Sequence, residues 1–128
     1  MDLRISFGFE QMNKLYMYKG CDGCRKAKKW LQDKGVDFEE IAIREVTPSK
    51  SELKEALAAH DMNLRKLFNV SGGDYREMGL KDKLPQMEVD EALDLLKANG
   101  NLVKRPFLAT PSGCISGFDT AVWEGFVG

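Results

Sequence analysis

From Lys14 onward, short apolar runs alternate with stretches whose apolar residues recur at helical spacing. Leu15-Tyr16-Met17-Tyr18 is short, apolar and aromatic, which predicts a buried strand. Gly20-Cys21-Asp22-Gly23-Cys24 predicts a turn. Ala27, Trp30 and Leu31 then fall at i, i+3, i+4 with basic residues on the other faces, which predicts a helix closed by Gly35. Val36 to Ile43 predicts a second strand anchored by Phe38, Ile41 and Ile43. Thr47-Pro48-Ser49-Lys50-Ser51-Glu52 reads as a helix start: Pro48 suits the first turn, and Ser49 with Glu52 three residues on forms a capping box. Leu53, Ala56, Leu57 and His60 share one face of that helix. Leu64, Leu67 and Phe68 predict another short helical piece, broken by Ser71-Gly72-Gly73. Val89, Ala92, Leu93 and Leu96 predict a further helix, stopped by Asn99-Gly100. Phe107-Leu108-Ala109 and Cys114-Ile115-Ser116 flank Thr110-Pro111-Ser112-Gly113 and predict a β-hairpin. A last short helix is expected from Asp119 to Phe126.

The order is β-α-β, then helices, then a ββ hairpin, then a helix. Two strands joined by a helix should be parallel with a right-handed crossover. A closing hairpin adds antiparallel partners. This is an α/β, thioredoxin-like arrangement with a helical insert between the second strand and the C-terminal hairpin. Residues 1–13 are expected to be an N-terminal extension to a domain spanning 14–128. Within it, Leu3, Ile5, Phe7 and Phe9 alternate with mostly polar neighbours, which fits a half-buried edge strand. Met12 fits equally well as an alternative translation start, leaving residues 1–11 as an appendage.

Composition narrows the class. With 128 residues, one domain is expected. Nineteen Lys+Arg against 20 Asp+Glu leave a net charge of −1, which argues against a general nucleic-acid or anionic-membrane binder. No apolar run approaches the roughly 20 residues of a membrane span. Met1-Asp2-Leu3-Arg4-Ile5-Ser6-Phe7 lacks the basic stretch and apolar core of a signal peptide. Three cysteines are an odd count and too few for a disulfide scaffold. A cytoplasmic protein is expected, and without an apolar surface stripe, a monomer.

The candidate chemistry is Cys21-Asp22-Gly23-Cys24, a C-x-x-C motif between a strand and a helix. Cys21 is expected where unpaired N–H groups and the positive end of the helix dipole favour thiolate over thiol. Lys19, Arg25, Lys26, Lys28 and Lys29 add positive charge nearby, and Asp22 opposes part of it. Cys24 lies about one helical turn on and can close a disulfide onto Cys21. Other readings of the pair are two inert core thiols, or a zinc site recruiting Cys114 and His60. His60, the single histidine, reads as a core or helix-terminal residue before a catalytic base, and Cys114 as a small core residue. Arg105-Pro106 reads as the entry to a strand, where proline leaves no unpaired N–H.

Several motifs in order resemble the ArsC/Spx family, which includes glutaredoxin-coupled arsenate reductases and Spx/MgsR-type redox regulators. They are Tyr18-Lys19-Gly20-Cys21-Asp22-Gly23-Cys24-Arg25-Lys26-Ala27, Leu80-Lys81-Asp82-Lys83-Leu84-Pro85, Val103-Lys104-Arg105-Pro106-Phe107-Leu108 and Gly117-Phe118. The resemblance implies that Cys21 is the nucleophile and Cys24 the second cysteine of the regulator branch. It implies that Arg25 closes the anion-binding loop, and that Arg105 and Pro106 are the family's Arg-Pro with a cis proline. Two further arginines of the arsenate reductases are matched here by Asn69 and Phe118, each a loss of a charged, fork-shaped donor. The implied activity is thiol-disulfide oxidoreduction of arsenate-reductase type, with no bound cofactor or metal and with glutathione or glutaredoxin as external reductant. The alternative is a redox-sensing regulator that binds the RNA polymerase α subunit through a Cys21–Cys24 switch.

Overall fold

The computed structural model describes residues 12–127. The edge strand expected around Leu3, Ile5, Phe7 and Phe9 lies outside the described residues. Four strands form one sheet: β1 (Asn13–Met17), β2 (Phe38–Ala42), β3 (Phe107–Thr110) and β4 (Gly113–Ser116), in the order β2-β1-β3-β4. β1 pairs parallel with β2, with Met17 opposite Ala42. It pairs antiparallel with β3, with Leu15 opposite Leu108. The Thr110–Gly113 turn joins β3 to β4.

Helix α1 (Asp22–Asp33) makes the β1–β2 crossover. Between β2 and β3 lie α2 (Lys50–Ala59), α3 (Gly73–Glu77), α4 (Leu80–Lys83) and α5 (Val89–Ala98), with short 3-10 turns at Leu64–Leu67, Leu84–Gln86 and Gly100–Leu102. Helix α6 (Thr120–Val127) closes the chain. The expected insert is present. It also holds α3 and α4, which the pattern of apolar positions did not reveal. Helices of four and five residues make barely one turn, too short to show a period. β2 is shorter than the Val36–Ile43 stretch. It is an edge strand, bonded on one side only, and Ile43 leaves it while still donating its N–H to Met17 O at 3.0 Å.

The sheet is covered on both faces because its strands alternate with period two. Leu15 and Met17 of β1, Leu108 and Ile115 face one way and pack with Cys24, Ala27 and Leu31 of α1 and Trp123 of α6. Tyr16, Phe107, Ala109 and Cys114 face the other way and pack with Leu53, Ala56 and Leu57 of α2 and Ala92, Leu93 and Leu96 of α5. The capping box is formed: Ser49 Oγ accepts from Glu52 N at 3.1 Å, and Ser49 N donates to Glu52 Oε1 at 2.9 Å. Glu52 also ties α2 to the sheet, accepting from Tyr16 OH at 2.8 Å and from Lys14 Nζ at 3.2 Å. No helix among the described residues is long and apolar enough to cross a membrane.

Candidate active site

Parallel pairing puts the C-terminal ends of β1 and β2 side by side. In open α/β sheets this edge is where ligands bind. The chain leaves β1 through Tyr18, Lys19 and Gly20 and enters α1 at Cys21, the N-cap residue. Cys21 N donates to Tyr18 O at 3.0 Å, closing the turn. Gly20 lets the Tyr18 ring lie over the turn: a β-carbon there would lie 2.6 Å from Tyr18 Cε2 and the ring would have to move.

The cap is made by sulfur. Cys21 Sγ accepts from Cys24 N at 3.3 Å, replacing the oxygen acceptor usual at a helix start. Both cysteines are free thiols; Cys21 is half-buried and Cys24 fully buried. Burial pushes the Cys21 thiol up. That push is outweighed by hydrogen bonds from the Cys24 thiol and the Cys24 and Gly23 N–H groups, together with the positive charge of Arg105, and the thiol is held below its usual value. Cys24 goes the other way, to about 12, because burial and the bond it gives to Cys21 both favour the protonated form. The two thiols of one loop are thus pushed in opposite directions, Cys21 toward easier ionisation and Cys24 away from it.

The charge acting on Cys21 differs from the expected set. Lys28 is paired with Glu40 at 2.8 Å and Lys29 with Asp33 at 3.2 Å. Arg25 bonds Asp22 and donates to Lys19 O at 2.8 Å, so it braces the loop that carries Cys21. Arg105, 84 positions after Cys21 in the numbering, supplies the field. The Arg105-Pro106 peptide bond is cis. Asn69 and Phe118 bring no cation. Asn69 Nδ2 donates to Asn101 O at 3.4 Å, and the Phe118 ring packs edge-on against Trp123 and Trp30, with centroids 4.9 and 6.1 Å away.

The other cysteine and the histidine are elsewhere. Cys114 lies on the opposite face of the sheet from α1, and burial with the charges of Glu55 and Glu52 pushes its thiol up to about 12. His60 caps the C-terminal end of α2, with Nε2 3.0 Å from Ser116 Oγ and 3.2 Å from Ser116 O. The Ser116 hydroxyl donates to Lys66 O at 2.7 Å, so the imidazole is the partner that donates to Ser116. Neither residue is brought to the C-x-x-C pair.

One group passed unnoticed in the sequence. The Arg44 guanidinium stacks on the Tyr18 ring, its carbon 3.8 Å from the centroid, and the Arg105 guanidinium approaches the same ring at 5.2 Å. No local signal marks Arg44. It reaches Tyr18 only because Met17 pairs with Ala42, so the chain leaves both strands at the same end.

The ArsC family model matches residues 16–126. This chain belongs to the ArsC family. Its sequence is 47% identical over 109 residues to the YusI protein of Bacillus subtilis, covering 85% of this chain and 92% of YusI. It is 28% identical over 110 residues to the regulatory protein MgsR of Bacillus subtilis, covering 86% of each. An ArsC family related protein from Bacteroides fragilis has a similar structure, with a TM-score of 0.81 and 36% identity, covering 89% of this chain and 96% of that one. More distant members similar to it include an arsenate reductase of Rhizobium meliloti and the global transcriptional regulator Spx of Streptococcus pyogenes. The family thus holds both reductases and transcriptional regulators, and a shared fold does not choose between them.

Proposed function

We propose that this ArsC-family protein is a thiol-disulfide oxidoreductase with Cys21 as nucleophile and Cys24 as resolving thiol. The observation that carries the reading is the seat of Cys21 at the α1 N-cap, its Sγ accepting from Cys24 N at 3.3 Å, with the two thiols shifted in opposite directions. The Cys21 thiolate attacks one sulfur of a disulfide, and a mixed disulfide forms as the first thiolate leaves. Cys24 then loses its proton and attacks Cys21 Sγ. The second thiol departs and an internal disulfide remains. An external thiol, glutathione or glutaredoxin, returns the pair to the dithiol.

Arsenate fits this site less well. A reductase cage would need cations where Asn69 and Phe118 stand. Each charge-assisted bond is worth about 1.5–3 kcal/mol, so two missing ones correspond to a loss of about 10²- to 10⁴-fold in kcat/KM. Arg25 and Arg105 are retained, and weak turnover of arsenate is consistent with them.

The test is turnover of a small disulfide by the full chain with glutathione as reductant, beside Cys21→Ser. Loss of turnover in the variant and trapping of a Cys21–Cys24 disulfide support the reading; equal rates in both proteins refute it. The likeness to MgsR favours a second reading, a redox-sensing regulator in which the same disulfide alters affinity for RNA polymerase. Redox-dependent stoichiometric binding to the polymerase α subunit, with no disulfide turnover, would select it.

A further inference from the structure

We propose that Arg44, stacked on Tyr18, selects disulfides that carry a carboxylate and an amino group, such as mixed disulfides of glutathione, in the cleft beside the Cys21 loop. The proposal rests on the thiol-disulfide reading above and names the substrate class of that site. The cleft has a volume of about 420 Å³ and opens at the C-terminal ends of β1 and β2. Tyr18 and Lys19 of the Cys21 loop form one wall; Glu40, Ala42, Arg44 and Glu45 form the other.

Three features make Arg44 the selecting group. Its planar guanidinium lies over the Tyr18 ring, so stacking occupies its face and leaves the in-plane N–H fork free for a carboxylate. Among the described residues, Arg44 has no carboxylate partner, unlike the cleft's neighbour Lys28, which is paired with Glu40. The ring Arg44 stacks on belongs to the loop that carries the reacting sulfur, since Cys21 N donates to Tyr18 O at 3.0 Å, and the Arg105 guanidinium approaches the same ring.

The cleft is not simply basic, and this decides the ligand class. Glu40 is engaged by Lys28, but Glu45 is exposed beside Arg44 with no paired cation among the described residues. A bare oxyanion would leave the Glu45 carboxylate without a partner. An amino-acid disulfide has a carboxylate for Arg44 and Lys19 and an ammonium for Glu45. The reaction with glutathione disulfide as probe is balanced: Cys21 thiolate and glutathione disulfide give the Cys21–glutathione mixed disulfide and one glutathione thiolate. Cys24 then gives its proton to the medium and displaces the second, two electrons having passed from the dithiol to the substrate.

The test is single-turnover stopped flow on the reduced full chain, which needs no external reductase. Second-order rate constants are measured with glutathione disulfide and with uncharged hydroxyethyl disulfide, and their ratio is read within each preparation. Arg44→Gln is expected to lower the ratio about tenfold, Arg44→Lys to restore part of it, and the remote Lys54→Gln to leave it unchanged. Added salt should compress the wild-type ratio toward the Arg44→Gln value. A ratio for Arg44→Gln within twofold of wild type overturns the assignment while leaving the oxidoreductase reading intact. Failure of wild-type protein to react with either disulfide overturns both.

Discussion

Gly100 gives the sharpest test of how the insert holds the site. It is buried, and it opens the 3-10 turn that ends the insert. A β-carbon added there would lie 2.8 Å from the Ile43 carbonyl carbon and 3.1 Å from Arg44 Cα, and closer still to Ile43 O. Packed heavy atoms sit at about 3.5–4.0 Å, so the overlap with Ile43 O forces the two backbone segments apart by about 1 Å or more. Both are main chain, and no rotamer change relieves the overlap. Overpacking costs about 1–3 kcal/mol where side chains can adjust, so Gly100→Ala is expected to cost at least about 3 kcal/mol. At about 2.1 cal/mol/K of unfolding entropy per residue, a chain of this length loses about 4 °C of Tm per kcal/mol, hence about 11 °C. Differential scanning calorimetry measures it, with Gly125→Ala as control. Gly125 sits in α6 with nothing within 4 Å of an added β-carbon, and there alanine should gain about 0.5–1 kcal/mol through helix propensity alone. A Gly100→Ala Tm within about 2 °C of wild type would refute the close approach of the insert to the Ile43–Arg44 backbone.

Three further expectations follow from the charged and capping groups. Cys24→Ala removes the thiol that donates to Cys21, so the midpoint of pH-dependent alkylation at Cys21 should rise; an unmoved midpoint would leave Arg105 and the backbone N–H groups as the sole cause. Burial raises the Glu52 carboxyl, but the Ser49 N–H, the Tyr16 hydroxyl and Lys14 outweigh it and hold it below the usual range. Its stabilising contribution is therefore present above the unfolded value of about 4.3 and lost as pH falls through the lower folded value. Glu52→Gln should cost about 2 kcal/mol in urea unfolding at pH 7, with the gap to wild type closing below about pH 4. Burial, then the charge of Lys66, holds the His60 imidazole below its usual value, against the Ser116 carbonyl and Asp61, which favour protonation. The unfolded chain then binds the extra proton first, so stability should fall as pH drops below about 6.5, and His60→Gln should flatten that slope between pH 5 and 7.

Much of this molecule was legible locally. Ala27, Trp30 and Leu31 announced α1 because an amphipathic face is written at 3.6-residue spacing, and Ser49 with Glu52 announced α2 because a cap is closed within four residues. The first strand, expected at Leu15–Tyr18 and found at Asn13–Met17, and the Phe107–Ser116 hairpin were legible from composition and turn chemistry. The place of Cys21 at a helix start followed from a strand, a glycine turn and a helix in sequence. Helices α3 and α4 were missed because one turn cannot show a period. What the linear order could not supply was the electrostatics. Arg25, Lys28 and Lys29 near the motif are bonded to Asp22, Glu40 and Asp33, and the charge that reaches Cys21 belongs to Arg105. Arg105 arrives because β3 pairs with β1, and Arg44 reaches Tyr18 because β2 pairs with β1 in one particular register. Short-range rules determine where a helix begins and which sulfur caps it. Strand pairing across tens of residues determines which charges surround that sulfur, since a field depends on distance in space and is indifferent to distance along the chain.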